Sequence, residues 1–422
     1  MSETQAIQPH VMKQVPLRRE GIAPVCWVVI DVSHYHSARM AAFARRTQMR
    51  SELVELTNKD SFVALEHAKS PDDSYGRLTL FPGRQYRELS SAAIRQAVRK
   101  WFSTLKPAVV CVNGWRLRGS IEVLGQCLDS GIPTVLMSES TAYDCPRTKL
   151  KESIKSQVVR LCSAALVGGR PHVDYIVALG MPRDRTFVGY DVVDNEHFSQ
   201  GADKAREVET VLRQRLMLPK HYFLSSARFE KKKNLFRLLR AYAAYRAMAG
   251  RNHWKLVVLG DGILRPQLLE LRSQLGLVED AMFPGFKGYD ELPNYYGLAS
   301  AFVHASTSEQ WGLVVNEAMA SGLPVLVSAR CGCAPDLLDE GKNGWTFDPL
   351  DVEPLAELML RISRMTPEET LAMGRASQEI IARWTPETFA DGLLHAVEAA
   401  TTAPRPHTTS LDRALLWFLT HR

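Results

Sequence analysis

The feature that most constrains the fold is an alternation of short apolar runs with amphipathic helical segments, which occurs twice along the chain. The first series contains the runs VCWVVIDV, AVVCVN, PTVLMSES and AALVGG. After the polar segment DNEHFSQGADKAREVE, the second contains YFLSSARF, WKLVVLGDG, AMFPGF, SAFVHAS and LPVLVSA. Such runs followed by helical periodicity predict strands and helices in turn. We therefore predict an α/β protein with two doubly wound, Rossmann-like domains that face each other across a cleft.

The polar segment also predicts where one domain ends and the next begins. We assign residues 1–195 to the first domain and residues 196–384 to the second, with a helix from residues 385–422 completing the first. A chain of 422 residues with 45% hydrophobic residues is long enough for two cores. The last apolar segment, LDRALLWFLTHR, is interpreted as a helix packed back on a domain, and a peripheral membrane foot is the alternative.

Cysteine usage and hydropathy narrow the class of protein. The seven cysteines are scattered, mostly within apolar runs, and their odd number argues against a disulfide framework. Cys331-Gly332-Cys333 has no second Cys/His pair at a suitable spacing, so we expect no zinc site. The first twenty residues lack the apolar core of a signal peptide, and no window resembles a membrane-spanning helix. We expect a cytoplasmic protein that needs no cofactor.

The net charge of +6 is distributed unevenly. Residues 1–200 contain 26 Lys and Arg against 20 Asp and Glu, and the remainder contains 26 of each. Such asymmetry is typical of a solvated basic face, but it also suits a domain that docks on anionic lipid or on an acidic acceptor. We expect no nucleic-acid partner, and the sequence does not determine the oligomeric state.

Two carboxylates flank a predicted strand-to-helix turn in the stretch SEQWGLVVNEAMASG. Gly312 lies at this turn, where the free N–H groups of a helix start attract phosphate. Glu309 precedes the turn, and Glu317 follows Gly312 by roughly 7–8 Å along the helix axis. A diphosphate at Gly312 would then have Glu317 near a ribose and Glu309 near the group at its other end. Alternatively, Glu309 caps the helix and Glu317 is merely exposed.

Cations for such a diphosphate lie earlier in the second series. Arg228 ends a predicted strand, and Lys231 to Lys233 lie in the turn before a helix. Guanidinium and ammonium groups together suit phosphate oxygens, although a solvated basic turn is the alternative. The turn Gly260-Asp261-Gly262 follows the next strand and could pass close to a nucleotide. The chain contains no Asp-x-Asp sequence, so we expect no metal ion on the diphosphate.

Together these motifs resemble the donor-binding domain of retaining glycosyltransferases of family 4, which have the glycosyltransferase B (GT-B) fold. The resemblance covers roughly residues 185–395. It rests on the spacing Glu309-x7-Glu317 with Gly312-Leu313, on Arg228 and Lys233 followed by Asn234-Leu235, and on the segments LGDG, FPGF, NEAMASGLPVLVS and NGWTFDP.

The resemblance implies a role for each of these residues in the second domain, which would bind a nucleotide-sugar. Arg228 and Lys233 would contact the diphosphate, Glu309 the transferred sugar and Glu317 the ribose, and the FPGF segment with Phe286 would contact the base. The remaining donor-binding candidates are Gly260, Asp261, Gly262, Gly312, Leu313 and Val314.

The first domain, which would bind the acceptor, resembles the family less. Many relatives have a Gly-Gly loop after the first strand, whereas this chain has Asp31-Val32-Ser33-His34-Tyr35-His36. Glu139 stands where relatives often carry His or Asp, and we interpret it as steering the acceptor or stabilising positive charge at the anomeric carbon. A capping or structural acid is the alternative. The other acceptor-side candidates are Ser33, His34, His36, Asp144 and Arg147, although loop histidines are more often simply exposed.

These features predict a metal-independent, retaining glycosyltransferase that moves a hexose-type sugar from a nucleoside diphosphate to an acceptor hydroxyl. The acceptor would be a sugar, a lipid-linked sugar or a polysaccharide, in polysaccharide or glycolipid biosynthesis. The basic first half and the apolar tail favour the cytoplasm or the inner face of a membrane. A sugar phosphorylase of the same fold and a non-catalytic sugar-nucleotide sensor are the alternatives.

Overall fold

Two parallel β-sheets, each covered by helices on both faces, form the molecule in a computed structural model that describes residues 23–59 and 74–421. The elements of the first domain are β1 (Val25–Val29), α1 (His34–Thr47), β2 (Ser51–Thr57), β3 (Gly76–Phe81), α2 (Ser91–Leu105), β4 (Val109–Asn113), α3 (Arg118–Ser130), β5 (Thr134–Ser138), α4 (Lys149–Arg160), β6 (Ala164–Val167), α5 (Arg170–Ala178) and β7 (Thr186–Val188).

The second domain follows directly and has the same alternating order. Its elements are α6 (Asn195–Glu207), α7 (Glu209–Leu216), β8 (Tyr222–Ser226), α8 (Leu235–Ala249), β9 (Lys255–Leu259), α9 (Arg265–Gln274), β10 (Ala281–Gly285), α10 (Leu292–Gly297), β11 (Ala301–His304), α11 (Leu313–Ala320), β12 (Val325–Ser328), α12 (Ala334–Leu337), β13 (Gly344–Phe347), α13 (Glu353–Ser363) and α14 (Pro367–Ile381). Two helices return to the first domain, α15 (Pro386–Thr402) and α16 (Ser410–His421).

Strand order places one topological switch point in each sheet. The first sheet runs β3-β2-β1-β4-β5-β6-β7, and the second runs β10-β9-β8-β11-β12-β13. Every pair of neighbouring strands is parallel, and the central strands are buried on both faces, which is why they read as continuous apolar runs. The order reverses between β1 and β4 and between β8 and β11, so the loops that follow these strands are where a ligand is expected.

The chain crosses between the two domains at a point marked by two adjacent valines. Val192 belongs to the core of the first domain and Val193 to the core of the second. The charged segment expected to join the halves is not a linker. It forms α6, which packs on α10 and α11 through a buried face that includes Phe198. Its polar residues cover the solvent side of an amphipathic helix.

The chain returns to the first domain at Trp384, which packs against the cores of both domains. Helix α15 then lies on α1 and on strands β5 to β7 of the first sheet, with Phe389 and Leu393 fully buried. Burial of each such side chain stabilises the fold by about 1.5–3 kcal/mol relative to leaving it exposed. The last element, α16, packs on α3 through Leu416 and Leu419.

The predicted fold class is confirmed. Each apolar run quoted above contains a strand, from β1 in VCWVVIDV to β12 in LPVLVSA. Strands β2, β3, β7 and β13 lie outside those runs. Strand β7 has 3 residues, which is too short to show a pattern, while β2 is interrupted by Glu52 and Glu55. None of the described helices is both long enough and apolar enough to cross a membrane.

Candidate functional site

The start of α11 is the centre of the candidate site. Gly312 precedes the helix with φ 111° and ψ 62°, a left-handed conformation that favours glycine. No side chain caps this helix start, so Glu309 is not its cap. The N–H groups of Leu313 and Val314 lie in the first turn, where a helix offers unpaired donors to an anion.

Glu309 lies in the loop between β11 and α11 and is surrounded by cations and hydrogen-bond donors. It forms an ion pair with Lys233, and Lys232 Nζ lies 3.8 Å from its other oxygen. His304 Nε2 and Ser306 Oγ lie 3.2 Å and 3.1 Å from Glu309 Oε2. Burial alone would raise the pKa of Glu309, but the hydrogen bond with His304 and the charge of Lys233 hold it well below its ordinary value. The carboxylate is therefore ionised at neutral pH.

Glu317 lies on α11 and has no cation beside its carboxylate among the described ion pairs. It is 1% exposed, which excludes the alternative that it is a surface residue. Tyr35 donates a hydrogen bond to Oε1 from the first domain, and Tyr296 donates one to Oε2 at 2.7 Å. Burial raises the pKa of Glu317 to about 7, although the two tyrosine hydrogen bonds act to lower it. Both of its oxygens are thus engaged, one of them across the cleft.

Arg228 lies in the loop after β8, and its side chain is 58% exposed. Its Nε lies 2.9 Å from Glu230 Oε1, so the guanidinium does not contact Glu309 in this arrangement. The following residues Lys231 to Lys233 form a single 3-10 turn, which brings Lys233 to Glu309. The structure therefore joins Lys233 and Glu309 directly and leaves Arg228 at the rim.

The turn Gly260-Asp261-Gly262 packs against the loop that carries Arg228. A Cβ atom on Gly260 would lie 1.9 Å from the carbonyl oxygen of Ala227, and one on Gly262 would lie 2.8 Å from backbone atoms of Phe229. The described structure thus gives these glycines a packing role in holding that loop. Asp261 is exposed and accepts a hydrogen bond from the N–H of Gly262 at 2.7 Å. Phe286, after β10, is 49% exposed.

Glu139 lies at the end of β5 and lines a cavity of about 220 Å³ between the domains. Leu313 of α11 lines the same cavity from the opposite side, together with Ser33 and His36. Burial raises the pKa of Glu139, and the positive charge of Arg39 opposes that shift. The carboxyl group therefore faces the start of α11 across the cleft.

Asp191 makes the environment of Glu139 unusual. Burial and the neighbouring charge of Glu139 raise the pKa of Asp191 well above its ordinary value. Asp191 and Glu139 lie close enough for the charge of Glu139 to act on Asp191, and both carboxyl oxygens of Asp191 are buried. Arg39, which is 2% exposed, donates to the carbonyl of Val192 at 3.0 Å and 2.8 Å and supplies a nearby positive charge. Burial therefore favours the protonated form of Asp191 beside the cleft.

The loop after β1 is ordered by its own side chains. Ser33 and His36 form a capping box at the start of α1, in which His36 Nδ1 accepts from the N–H of Ser33 at 3.1 Å. Burial and the charge of Arg39 lower the pKa of His36 to about 3, so the imidazole is neutral. The ring of His34 stacks on Tyr289 of the second domain at 4.3 Å. Both histidines are therefore partly buried rather than exposed.

Asp144 and Arg147 lie away from Glu139, in a second and larger pocket. Arg147 forms an ion pair with Asp144 and lies 4.5 Å from the ring centre of Tyr175. The carbonyl of Asp144 accepts a hydrogen bond from Ser308 at 2.5 Å, which links this loop to the residue before Glu309. The acceptor-side candidates thus divide between two pockets.

Sequence reasoning missed four residues that shape the site: Tyr35, Asp191, Tyr296 and His304. Tyr35 and Tyr296 hold Glu317, His304 holds Glu309, and Asp191 is a second buried carboxyl group near Glu139. None belongs to a quoted donor-site motif, and Tyr35 acts on a residue that is far from it in the chain. The one available signal was the position of Tyr35 between His34 and His36 in the loop after β1.

Comparisons with known proteins match the second domain. The family model for glycosyl transferases group 1 matches residues 211–379. Sulfoquinovosyl transferase SQD2 of Arabidopsis thaliana is 39% identical over 132 residues, 31% of this chain and 23% of that protein. D-inositol 3-phosphate glycosyltransferase of Saccharomonospora viridis is 32% identical over 175 residues, 40% of each. The chain thus spans less than half the length of these curated relatives.

Solved structures extend the likeness to both domains. The structure of HepE of Anabaena in complex with UDP and glucose aligns with 89% of this chain and with 100% of the HepE chain. The TM-score is 0.69 and the sequence identity is 17%. The structure of sucrose-phosphate synthase of Thermosynechococcus elongatus aligns with 88% of this chain and with 97% of the synthase chain. The TM-score is 0.68 and the sequence identity is 19%. The second domain is thus similar to glycosyl transferases group 1, and by its two-domain architecture the chain has the GT-B fold.

Proposed function

We propose that the protein transfers a hexose-type sugar from a nucleoside diphosphate to an acceptor hydroxyl, with retention of anomeric configuration and without a metal ion. The observation that carries this proposal is the ion pair between Lys233 and Glu309 beside the uncapped start of α11. These groups lie on loops that follow β8 and β11, at the switch point of the second sheet. They face Glu139 across the cleft.

The chemistry follows from the charges. The diphosphate accepts hydrogen bonds from the first N–H groups of α11 and is neutralised by Lys233. Arg228 moves in from the rim of the site and exchanges its ion pair with Glu230 for one with the diphosphate. Stabilisation of the departing diphosphate lowers the barrier. The ionised Glu309 orients the sugar. The acceptor approaches the face from which the diphosphate departs, and a phosphate oxygen accepts its proton. Glu139, close to the anomeric carbon, stabilises developing positive charge there.

The acceptor belongs to polysaccharide or glycolipid synthesis in this proposal, and α16 supports contact with an anionic membrane surface. Its outer face exposes Leu411, Trp417 and Phe418, at 81%, 59% and 56%. Aromatic and aliphatic side chains on an amphipathic helix suit the interface of a bilayer. Exchange of Trp417 and Phe418 for Ser should reduce co-sedimentation with anionic vesicles and leave turnover on a soluble acceptor unchanged. Equal vesicle binding by the variant would remove this part of the proposal.

A thermal-shift panel tests the donor site. The full chain is heated with UDP, GDP, ADP or TDP, with and without magnesium. UDP is the first choice because HepE was solved with it. Ligand at about 100 times its Kd adds roughly 2.7 kcal/mol to the folded state. We expect one nucleotide to raise Tm without metal in the wild type and in Arg251→Ala, an exposed arginine outside the site. The same nucleotide should have much less effect on Arg228→Ala.

Two outcomes of further assays would replace the proposal. A Tm response to inorganic phosphate but to no nucleotide, together with phosphate-dependent glycoside cleavage, would indicate a sugar phosphorylase. Nucleotide binding without sugar transfer and without slow donor hydrolysis would indicate a sugar-nucleotide sensor. Retention itself is read from the anomeric proton coupling of the first product formed.

A further inference from the structure

The larger pocket on the acceptor side has an unusual charge. It has a volume of about 570 Å³ and lies between the loops of the first domain that follow β4 and β5 and the loop of the second domain that precedes α11. Five cationic side chains line it and only one carboxylate does. The cations are Arg116, Arg147, Lys151, Lys155 and Lys232, and the carboxylate is Asp144.

Two of these cations are neutralised within the protein. Arg147 pairs with Asp144 and lies 3.6 Å from Glu152, and Lys155 Nζ lies 2.8 Å from Glu152. Arg116 and Lys151 have no ion pair among the described residues, and both are exposed. Lys232 Nζ lies 3.8 Å from Glu309, whose carboxylate is already neutralised by Lys233. The pocket therefore keeps the charge of three cations.

The pocket is continuous with the proposed reaction centre. Lys232 belongs to both, because it lines the pocket and lies beside Glu309. Ser140, which lines the pocket, is adjacent to Glu139 in the chain. Ser308 of the second domain binds the carbonyl of Asp144 and closes the pocket on that side. A molecule in this pocket would therefore extend from the point where the sugar is transferred.

Cationic side chains in a concave site repel each other. The low-dielectric walls of the pocket focus the electric field of these side chains on a molecule that enters it. An arginine fork and two ammonium groups suit the oxygens of a phosphoryl group. Part of the remaining wall is apolar, with Trp115 and Leu419. We propose that this pocket binds the phosphoryl group of an acceptor that carries its reactive hydroxyl nearby. This proposal rests on the proposed function, since it names the acceptor class of the same site.

The test separates this pocket from the donor site. With the donor site saturated by the nucleotide found above, the full chain is titrated with glycerol 3-phosphate, with inorganic phosphate and with glycerol, and Tm is followed. We expect both phosphates to raise Tm, and glycerol to have no effect. Arg116→Ala/Lys151→Ala should weaken the response to glycerol 3-phosphate at least about tenfold.

Lys100→Ala/Arg251→Ala is the matched control, because it removes one Lys and one Arg that are exposed and lie outside the pocket. It should respond as the wild type does. The proposal is overturned if the wild type does not respond to glycerol 3-phosphate, if both double variants respond alike, or if Arg228→Ala alone abolishes the response. The last result would place the phosphate at the donor site.

Vesicles distinguish the two sources of such a group. Phosphatidylcholine vesicles with and without phosphatidic acid are sedimented with each protein. Binding that needs phosphatidic acid and is lost in Arg116→Ala/Lys151→Ala assigns the phosphate to a lipid. A glycerol 3-phosphate response without vesicle binding assigns it to a soluble phosphorylated acceptor. Should no nucleotide bind while the pocket variant still loses its phosphate response, the proposed donor chemistry fails and the phosphate pocket stands.

Discussion

Glu309 and Glu317 flank the same helix start, yet the protein treats the two carboxyl groups in opposite ways. Glu309, in the loop before α11, is surrounded by Lys233, His304 and Ser306, all from the second domain. The helix itself buries Glu317 between two tyrosine hydroxyls, one of which belongs to the first domain. The pKa of Glu309 is held well below its ordinary value, and burial raises that of Glu317 to about 7.

The comparison shows that two carboxyl groups of one motif can have pKa shifts in opposite directions. Both residues are buried, and burial alone raises the pKa of a carboxyl group. The direction of the pKa shift depends on whether a cation lies beside the carboxylate. Of these two residues, only Glu309 has such a cation. Glu309 is therefore a fixed negative charge, whereas Glu317 has a pKa near neutrality and a hydrogen bond from the other domain.

The largest expected effect comes from removing the cation beside Glu309. Lys233→Ala should lower kcat by at least about 100-fold, because the diphosphate and the buried carboxylate both lose their counter-charge. Lys231→Ala is the matched control, since Lys231 is exposed and lies in the same turn. Rates are measured at saturating donor on protein whose Tm has been checked. Equal losses in the two variants would show that the turn as a whole matters, not this ion pair.

The second expected effect separates the two glutamates by kinetics. Glu317→Gln should raise the donor KM about tenfold while kcat changes little, because a ribose contact is made equally in the ground state and the transition state. Glu309→Gln should instead lower kcat. Steady-state kinetics with varied donor measure both. A normal donor KM in Glu317→Gln would contradict the ribose assignment.

A smaller effect is expected at the contact between the domains. A ribose that binds Glu317 must displace the hydroxyl of Tyr35, and one such hydrogen bond is worth about 1 kcal/mol. Tyr35→Phe should therefore tighten nucleotide binding about fivefold, as measured by calorimetry. Tyr296→Phe is the internal comparison, because it loosens Glu317 from its own domain and should weaken binding. Weaker binding in Tyr35→Phe would mean that Tyr35 assists the nucleotide.

The smallest expected effect is the pH dependence of stability. The pKa of Glu317 is raised from 4.5 to about 7, so its contribution to stability is full below about pH 4.5 and is lost as the pH rises through 7. Between pH 5 and pH 8, the Tm of Glu317→Gln should therefore rise by about 2 °C relative to wild type. Glu309→Gln should show no such trend, because the depressed pKa of Glu309 places its titration in acid.

The sequence was sufficient for the fold because each central strand is buried on both faces and must be apolar throughout. It was also sufficient to place Glu309, Lys233 and Gly312 near one another, since the residues that follow parallel strands meet at one edge of a sheet. These are local properties of single elements. The charged segment from Asn195 was interpreted as a junction between the domains, because only its local composition can be judged from the sequence. The buried face of α6 is recognised only from its partners α10 and α11.

The electrostatic states could not be predicted from the sequence. The low pKa of Glu309 depends on His304 and Lys233, and the high pKa of Glu317 depends on burial of its carboxyl group. The raised pKa of Asp191 depends on burial and on the charge of Glu139, which is far from it in the chain. Such effects arise from distances between segments, which neither composition nor periodicity encodes.

The return of α15 and α16 to the first domain has a consequence for synthesis of the protein. Helix α15 covers one face of the first sheet, with Phe389 and Leu393 in its core, and α16 adds Leu416 to the other face. Val193 to Trp384 must therefore leave the ribosome before the first domain can be completed, a delay of roughly 10–40 s at about 5–20 residues per second. The second domain, continuous in the chain, can fold during that interval. The first is exposed for longest to aggregation and to chaperones.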